Sequence, residues 1–356
     1  MCTVTVQETT TTPVQHVTLP ELHLESGRVL HRVPVAFQTW GDLNAAGDNV
    51  VVVCHALTGD TDAAAWWPSL VGPGRPIDTR QFFVVCANTL GSPYGSASPL
   101  TLNPATGCPY GPDFPEITIR DTVAAHRALL VRLGVTRVVN VIGGSMGGML
   151  ALEWACHRHL VRSFCVIAAG GRHSPWSIAW GEAQRQAIFN DPDWQGGAYS
   201  PDRPPARGLG VARMMAMVSY RSSGEFEGRF GRARRDATEF EVESYLRHHG
   251  KALPARFDAN CYVSLTRQMD AHDIGADRGG YEQALDALPQ PALVVGIRSD
   301  VLYPLHEQVE LAALLPAGRL EVLSSPFGHD SFLVDHEGLA AAVTPFFDQF
   351  VHPALV

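Results

Sequence analysis

The sequence predicts an α/β protein, with a doubly wound, mostly parallel β-sheet and a helical lid inserted into it. Short apolar runs rich in β-branched residues alternate with segments of helical periodicity. Most of these runs are apolar throughout, which is typical of strands buried on both faces of a parallel sheet. The alternation stops between about residues 174 and 290 and then resumes.

The apolar runs place seven strands along the chain. They cover residues 33–40, 49–54, 82–86, 138–142, 164–168, 292–297 and 320–323. Helical periodicity is found between them at 118–133, 146–156, 305–315 and 338–350. A chain that alternates strand and helix in this way builds one sheet through right-handed crossovers.

The interruption predicts the domain organisation. Residues 174–290 have no strand-like run, contain polar clusters at 191–193 and 201–207, and show helical periodicity around 178–189 and 210–220. We interpret 174–290 as a helical lid domain, and 16–173 with 291–356 as the core domain. The threonine-rich residues 1–15 are predicted to be a flexible tail, since they have neither the basic nor the apolar part of a secretory signal.

Composition excludes several classes of function. The 356 residues are 46% apolar and 18% charged, which is a globular composition. The formal charge of −9 argues against a nucleic-acid-binding surface, and no apolar run approaches the roughly 20 residues that cross a bilayer. The seven cysteines form no CxxC pair, which favours reduced thiols in a cytoplasmic protein. No metal site is predicted, because two histidine pairs lack a third ligand at metal spacing: His157 with His159, and His248 with His249.

The most informative segment runs from 138 to 154 and is predicted to be strand, sharp turn and helix. Within it, Gly143-Gly144-Ser145-Met146-Gly147 fits the G-x-S-x-G pattern of a nucleophile elbow. Glycines two residues either side of the serine allow strand and helix to approach closely. A dinucleotide fingerprint would need glycine in place of Ser145, and a phosphate loop would need Gly-Lys-Ser/Thr. A purely structural glycine-rich turn remains the alternative.

Two later segments supply partners for this serine. Asp300 follows the predicted strand 292–297, and His329 follows the predicted strand 320–323. The order nucleophile, acid, base is the order found where such an elbow belongs to a catalytic triad. Both loops would open on the edge of the sheet that carries Ser145. We therefore predict that His329 is the general base for Ser145 and that Asp300 orients His329.

An oxyanion hole is predicted beside the serine. The N–H of Met146, at the start of the helix, would be one donor, and the N–H of Leu57, in the loop after strand 49–54, would be the other. In the same loop His55 is interpreted as structural rather than catalytic.

The chain as a whole, from about residue 20 to 350, resembles the homoserine O-acetyltransferase family, acyltransferases on the α/β-hydrolase fold. The motifs that carry the resemblance are HALTGD at 55–60, NTLGSPYGSASP at 88–99, NPATG at 103–107, PYGPDFP at 109–115, ITIRD at 117–121, GSMGGM at 144–149, SYRS at 219–222 and GHD at 328–330. The version at 91–99 is most similar to the branch that includes fungal homoserine acetyltransferases and deacetylcephalosporin C acetyltransferases.

The resemblance implies a ping-pong reaction in methionine biosynthesis, in which Ser145 takes an acetyl group from the co-substrate acetyl-CoA and passes it to the homoserine hydroxyl. It also implies that Arg213 holds the carboxylate of the amino acid and that Asp330 holds its ammonium group. Arg221 is the alternative to Arg213, and helix capping or support of His329 is the alternative for Asp330. The resemblance implies no bound cofactor. It does imply a homodimer joined through the lid helices.

Other specificities and activities stay open at this point. Succinyl-CoA is an alternative donor, and serine or deacetylcephalosporin C is an alternative acceptor. An esterase would use the same three side chains, with water as acceptor. A binding protein without activity is disfavoured, because Ser145, Asp300 and His329 are all present.

Overall fold

The computed structural model describes residues 12–355, and within that range the chain forms one eight-stranded sheet. Its strands are β1 Gln15–His23, β2 Val29–Trp40, β3 Val50–Cys54, β4 Phe83–Ala87, β5 Val138–Gly144, β6 Phe164–Ile167, β7 Ala292–Ile297 and β8 Gly318–Leu323. They lie in the order β1-β2-β4-β3-β5-β6-β7-β8. The pairs β1–β2 and β2–β4 are antiparallel and the others are parallel, which confirms the predicted fold.

Helices cover the sheet and fill the interval between β6 and β7. They are α1 Ala63–Trp66, α2 Ile119–Arg132, α3 Met146–Ala155, α4 Pro175–Phe189, α5 Ala206–Tyr220, α6 Ser223–Phe230, α7 Glu241–Ala252, α8 Ala259–Asp270, α9 Tyr281–Asp286, α10 Leu305–Leu314, α11 Ser331–Val334 and α12 His336–Phe346. Thr118 begins α2 with a capping box that it forms with Asp121, at the start predicted from sequence. No helix in the described range is long and apolar enough to cross a membrane.

The continuous apolar strands are explained by layers on both faces of the sheet. All five residues of β3 are buried, and alternate side chains point to opposite layers. Val52 belongs to the core cluster that contains Leu129 of α2, and Val53 belongs to the cluster that contains Trp67 and Leu339 of α12. Burial on both faces is why these strands show no polar alternation.

The edge of the sheet was not predicted. The apolar pattern predicts no strand before residue 33, but β1 and the first four residues of β2 form an antiparallel hairpin there. One face of this hairpin is exposed, and Pro20 interrupts the pattern of β1, as is tolerated on an edge strand. Strand β1 begins at Gln15, the last residue of the predicted tail, and residues 1–11 of that tail lie outside the described residues.

The segment after β6 folds into helices α4 to α9 and is tied to the loops that follow β7 and β8. The predicted helical stretches 178–189 and 210–220 fall within α4 and α5. Trp176 Nε1 donates to the carbonyl of Val301 at 2.7 Å, and Ser222 Oγ donates to the carbonyl of Pro326 at 2.5 Å. These contacts hold the helices over the carboxyl ends of the parallel strands, where ligands bind in open α/β sheets.

Candidate active site

The turn between β5 and α3 holds Ser145 in a conformation that few side chains adopt. Its φ of 57° and ψ of −123° lie outside the favoured regions for an L-residue. The close approach of strand and helix requires the flanking glycines: a Cβ at Gly143 would overlap the carbonyl of Gly147, and a Cβ at Gly147 would overlap the carbonyl of Cys54. The backbone of the elbow is therefore strained at Ser145, and there is no room for a side chain at either flanking glycine.

This packing makes the elbow sensitive to one methyl group. We expect Gly147→Ala to lower the free energy of unfolding by about 3 kcal/mol or more, because the methyl group would meet the backbone of β3 rather than a flexible side chain. Gly228→Ala, in α6, is the matched control: a Cβ there meets nothing within 4 Å, so its helix should gain about 0.5–1 kcal/mol. Urea unfolding midpoints measure both changes, and equal midpoints would contradict the packing argument.

Asp300 and His329 form a buried hydrogen-bonded pair on the loops after β7 and β8. His329 Nδ1 lies 2.6 Å from Asp300 Oδ2, and both side chains are almost fully buried. The other carboxylate oxygen accepts the backbone N–H groups of Leu302 at 2.8 Å and Tyr303 at 2.9 Å. A carboxylate accepts but does not donate, so Nδ1 carries the proton and Nε2 keeps its lone pair.

The electrostatics of this pair suit a general base. Burial has the largest single effect and lowers the pKa of His329, but the Asp300 carboxylate, with a smaller contribution from Asp330, outweighs it and leaves the pKa raised from its usual 6.5. The Nε2 atom is buried and has no hydrogen-bond partner within residues 12–355. An imidazole held in one tautomer, with its second nitrogen free, can take a proton from a neighbouring hydroxyl.

Phe332 links this pair to the elbow. Its ring packs 5.4 Å from the His329 ring, edge to face, and lies directly against Gly144, the residue before Ser145. Ser145, Asp300 and His329 are thus brought to one edge of the sheet from three loops. The structure gives no Ser145–His329 hydrogen bond, so contact between Oγ and Nε2 stays a prediction.

The two predicted oxyanion donors lie on segments that touch each other. Helix α3 begins at Met146, so the N–H of that residue lies in the first turn, where the N–H groups have no acceptor within the helix. A Cβ at Gly147 would also approach the carbonyl of His55, at 3.1 Å, so the loop of Leu57 packs against that same turn. His55 Nε2 accepts the N–H of Thr89 at 3.0 Å. This hydrogen bond agrees with a structural role for His55.

Asp330 is paired with Arg221, the residue that is the alternative to Arg213 for binding the substrate carboxylate. Arg221 Nε lies 3.2 Å from Asp330 Oδ2, and both side chains are largely buried. The Arg213 guanidinium lies 5.6 Å from the centre of the Tyr220 ring, which packs in turn at 5.7 Å from His329. Burial raises the pKa of Asp330, and Arg221 opposes this more strongly than Arg213 does. Two cations therefore act on the carboxylate beside the histidine.

Helices α4, α5 and α8 line a narrow cavity, and a larger cleft lies beside α8. The cavity has a volume of about 20 Å³ and is lined by Leu57, Tyr220 and Leu302 among others. The cleft, about 740 Å³, lies between α8 and the segment 111–118 and includes neither Ser145 nor His329. Asp270 lines both. Within residues 12–355 no three histidine, cysteine or acidic side chains are grouped as metal ligands would be.

Known proteins are similar to this chain both in sequence and in fold. A family model described as "alpha/beta hydrolase fold" matches residues 49–336. Homoserine O-acetyltransferase of Salinibacter ruber is 59% identical over 333 residues, which cover 91% of this chain and 95% of that protein. The chain belongs to the homoserine O-acetyltransferase family. Membership confirms the resemblance found in the sequence, and with it an acyltransferase on the α/β-hydrolase fold.

Solved structures similar to this homoserine O-acetyltransferase family member carry two kinds of name. The crystal structure of homoserine O-acetyltransferase from Bacillus anthracis has a TM-score of 0.89 and 26% identity, and the comparison covers 95% of this chain and 98% of that one. The structure of esterase E22 has a TM-score of 0.89 and 27% identity, with 95% and 100% covered. The fold therefore serves transfer and hydrolysis, and the choice between them depends on the site.

Proposed function

We propose that this chain moves an acetyl group from acetyl-CoA to the side-chain hydroxyl of L-homoserine through an acetyl ester of Ser145. The product, O-acetyl-L-homoserine, would serve methionine biosynthesis. The observation that carries the proposal is the buried Asp300–His329 pair beside the strained serine, in a chain of this family. Neither a metal nor a bound cofactor has a part in it, and acetyl-CoA is a co-substrate.

The first half-reaction uses His329 as base and then as acid. Ser145 Oγ attacks the thioester carbonyl while its proton passes to His329 Nε2, and the carbonyl electrons move to the oxygen. The tetrahedral intermediate collapses, the carbon–sulfur bond breaks, and the proton leaves with the CoA thiol. The N–H groups of Met146 and Leu57 would bind the oxyanion, at a helix start where partial positive charge favours it.

The second half-reaction repeats these proton transfers in reverse. Homoserine gives its hydroxyl proton to Nε2 and attacks the acetyl ester, after which the bond to Ser145 Oγ breaks and Oγ regains a proton. A zwitterion held in a largely buried site needs a fixed cation and a fixed anion. Arg213 would bind the carboxylate through its two-pronged guanidinium, and Asp330 would bind the ammonium group. Arg221, already close to Asp330, would keep that carboxylate charged and in place.

Arg213 is therefore expected to act on the acceptor alone. Arg213→Ala should raise KM for homoserine about 10- to 100-fold, the cost of one charged hydrogen-bonded contact, and change KM for acetyl-CoA about twofold or less. Arg207→Ala, an exposed arginine at the start of α5, should change neither constant. Equal effects on both substrates would remove Arg213 from the amino-acid site, and a larger homoserine effect in Arg221→Ala would transfer the role to Arg221.

Specificity is tested by crossing donors with acceptors. We expect acetyl-CoA with homoserine to give the highest kcat/KM among acetyl-CoA or succinyl-CoA with homoserine, serine or deacetylcephalosporin C. The longer succinyl group would need a cation at the far end of its pocket. Asp270 lines the narrow cavity, and its carboxylate already pairs with Arg185 at 2.6 Å. That arginine is therefore not free to bind the carboxylate of a succinyl group. Higher kcat/KM with succinyl-CoA or with another acceptor would overturn the proposed substrates.

Hydrolysis is the second candidate function, favoured by the likeness to esterase E22. An esterase would hydrolyse p-nitrophenyl acetate rapidly whether or not homoserine is present. A transferase that keeps water from its acetyl ester should instead accumulate one acetyl group when mixed with acetyl-CoA alone. Mass spectrometry of that mixture decides between them: a stable adduct of one acetyl group supports transfer, and acetyl-CoA hydrolysis as fast without homoserine as with it supports an esterase.

The lid surface supports the homodimer implied by the resemblance. A shallow groove between α5 and α7 is lined by apolar residues that include Val211, Met214 and Pro254 and by three basic residues, and Val211 is exposed. A second copy of the chain would cover these side chains. Light scattering of the purified protein measures the assembly, and a monomer at micromolar concentration would contradict it.

A further inference from the structure

Tyr303 contacts both members of the Asp300–His329 pair. Its ring is fully buried and stacks on the imidazole of His329, with centroids 5.2 Å apart and planes 28° apart. Its backbone N–H donates to Asp300 Oδ1 at 2.9 Å. One residue therefore fixes the carboxylate through its main chain and presents an aromatic face to the base.

The Tyr303 ring also packs against a second imidazole, that of His173. The centroids of the His173 and Tyr303 rings are 5.8 Å apart, and the two ring planes are inclined by 35°. His173 Nδ1 is held by Asp270 Oδ1 at 3.0 Å, and Arg185 binds the other oxygen of that carboxylate at 2.6 Å. His329, Tyr303 and His173 thus form a buried cluster of three rings, held at His173 by the Asp270–Arg185 ion pair, which leaves Tyr303 little freedom to move away from the base.

The other neighbours of His329 meet it differently. Phe332 presents an edge at 75°, and Tyr220 is tilted by 40° at 5.7 Å. The titratable or charged groups around the imidazole are Asp300 and Tyr303 after β7, Asp330 beside it, Tyr220 on α5, and Arg213 and Arg221, which act through Asp330. Among these neighbours, Tyr303 gives the most nearly parallel ring face.

We propose that Tyr303 is a positioning residue for acyl transfer, whose ring keeps the imidazole aimed at Ser145 and stabilises the imidazolium that forms when His329 takes the serine proton. The inference rests on the proposed function. The proton moves from Ser145 Oγ to His329 Nε2 and then to the CoA sulfur, and Tyr303 neither gains nor loses one. The negative face of an aromatic ring attracts a cation, most strongly where water is excluded.

The ring rather than the hydroxyl is assigned this role. The hydroxyl of Tyr303 is buried and, in the described part of the chain, has no hydrogen-bond partner. Tyr303→Phe should therefore keep kcat/KM for acetyl-CoA within about twofold of the parent, since it removes only a group that contributes no bond.

The sharpest test replaces the ring at 303 by one of similar shape whose face carries partial positive rather than partial negative charge. With pentafluorophenylalanine at 303 in place of phenylalanine, the low-pH midpoint of kcat/KM for acetyl-CoA should fall by about half a pH unit, because a less stabilised imidazolium loses its proton at lower pH. The plateau rate should fall about 2- to 5-fold. Tyr303→Leu should lose about tenfold or more, since the imidazole is then less well aimed. In each variant, the downfield Nδ1 proton resonance of His329 reports whether its bond to Asp300 survives.

A second stacked pair supplies the control. Phe82 stacks on His352 with centroids 5.5 Å and planes 22° apart, on residues outside the site. Phe82→Leu should leave the midpoint and the plateau unchanged. The same midpoint in all the 303 variants, or a Tyr303→Phe enzyme as slow as Tyr303→Leu, would overturn the role of the ring. Failure of the parent protein to form acetyl-Ser145 would instead overturn the proposed function, so the two failures are distinguishable.

Discussion

Ser145→Ala is expected to abolish acetyl transfer, with kcat lower by a factor on the order of 10⁴ to 10⁶, as for removal of the nucleophile from a serine triad. The reason is chemical rather than structural. Alanine fits the elbow, since the turn is set by the glycines and by the packing of α3 on β3, and Ser145 is only 6% exposed. What is lost is the atom that carries the acetyl group between the half-reactions.

The measurement has two parts, because loss of rate alone does not identify a covalent intermediate. The parent protein mixed with acetyl-CoA should gain one acetyl group on the peptide containing residue 145, and Ser145→Ala should gain none. Ser69→Ala is a matched control, since the Ser69 hydroxyl has no hydrogen-bond partner in residues 12–355. A Ser145→Ala protein that still transfers acetyl, or that is acetylated elsewhere at the same rate, would exclude Ser145 as the residue that carries the acetyl group.

The parts of the site that local sequence determines could be predicted. A strand, a glycine-flanked serine and a helix form within one continuous segment, so the position of Ser145 follows from spacing. Asp300 and His329 could be assigned because each follows a strand of the parallel part of the sheet, and parallel strands end at the same edge of a sheet. The same reasoning placed the buried strands, whose apolar runs reflect helices on both faces.

What the sequence could not show depends on contacts between distant segments. Arg213 lies within α5 and Arg221 directly follows that helix, and nothing in their spacing indicates that Arg221 is the one that reaches Asp330. The stacking of Tyr303 on His329 joins two loops that are far apart in the sequence, and the first of them is also held by a hydrogen bond from Trp176 of α4 to the carbonyl of Val301. The hairpin of β1 with β2 was missed because its exposed face mixes polar and apolar residues.

The same contacts predict what happens when the carboxylate becomes an amide. Asp300 Oδ1 accepts two backbone N–H groups, from Leu302 and Tyr303, and Oδ2 accepts from His329 Nδ1. In Asp300→Asn the amide oxygen must take the place of Oδ1, because an NH₂ group there would face two donors. The NH₂ group then points at Nδ1 and donates to it. His329 is left with its proton on Nε2 and cannot accept one from Ser145.

We expect Asp300→Asn to lower kcat/KM for acetyl-CoA by a factor on the order of 10⁴ while the fold persists. The Asp300 carboxylate raises the pKa of His329, so its loss should also move the low-pH midpoint of the remaining activity downward, because burial then outweighs the smaller contribution of Asp330. Asp335→Asn, at the cap of α12, is the matched control: asparagine caps a helix about as well as aspartate, so neither the stability nor the pH profile should change. Pre-steady-state release of CoA across pH measures both effects. If Asp300→Asn released CoA within tenfold of the parent rate, His329 would not depend on Asp300 for its tautomer, and the assignment of the base would have to be abandoned.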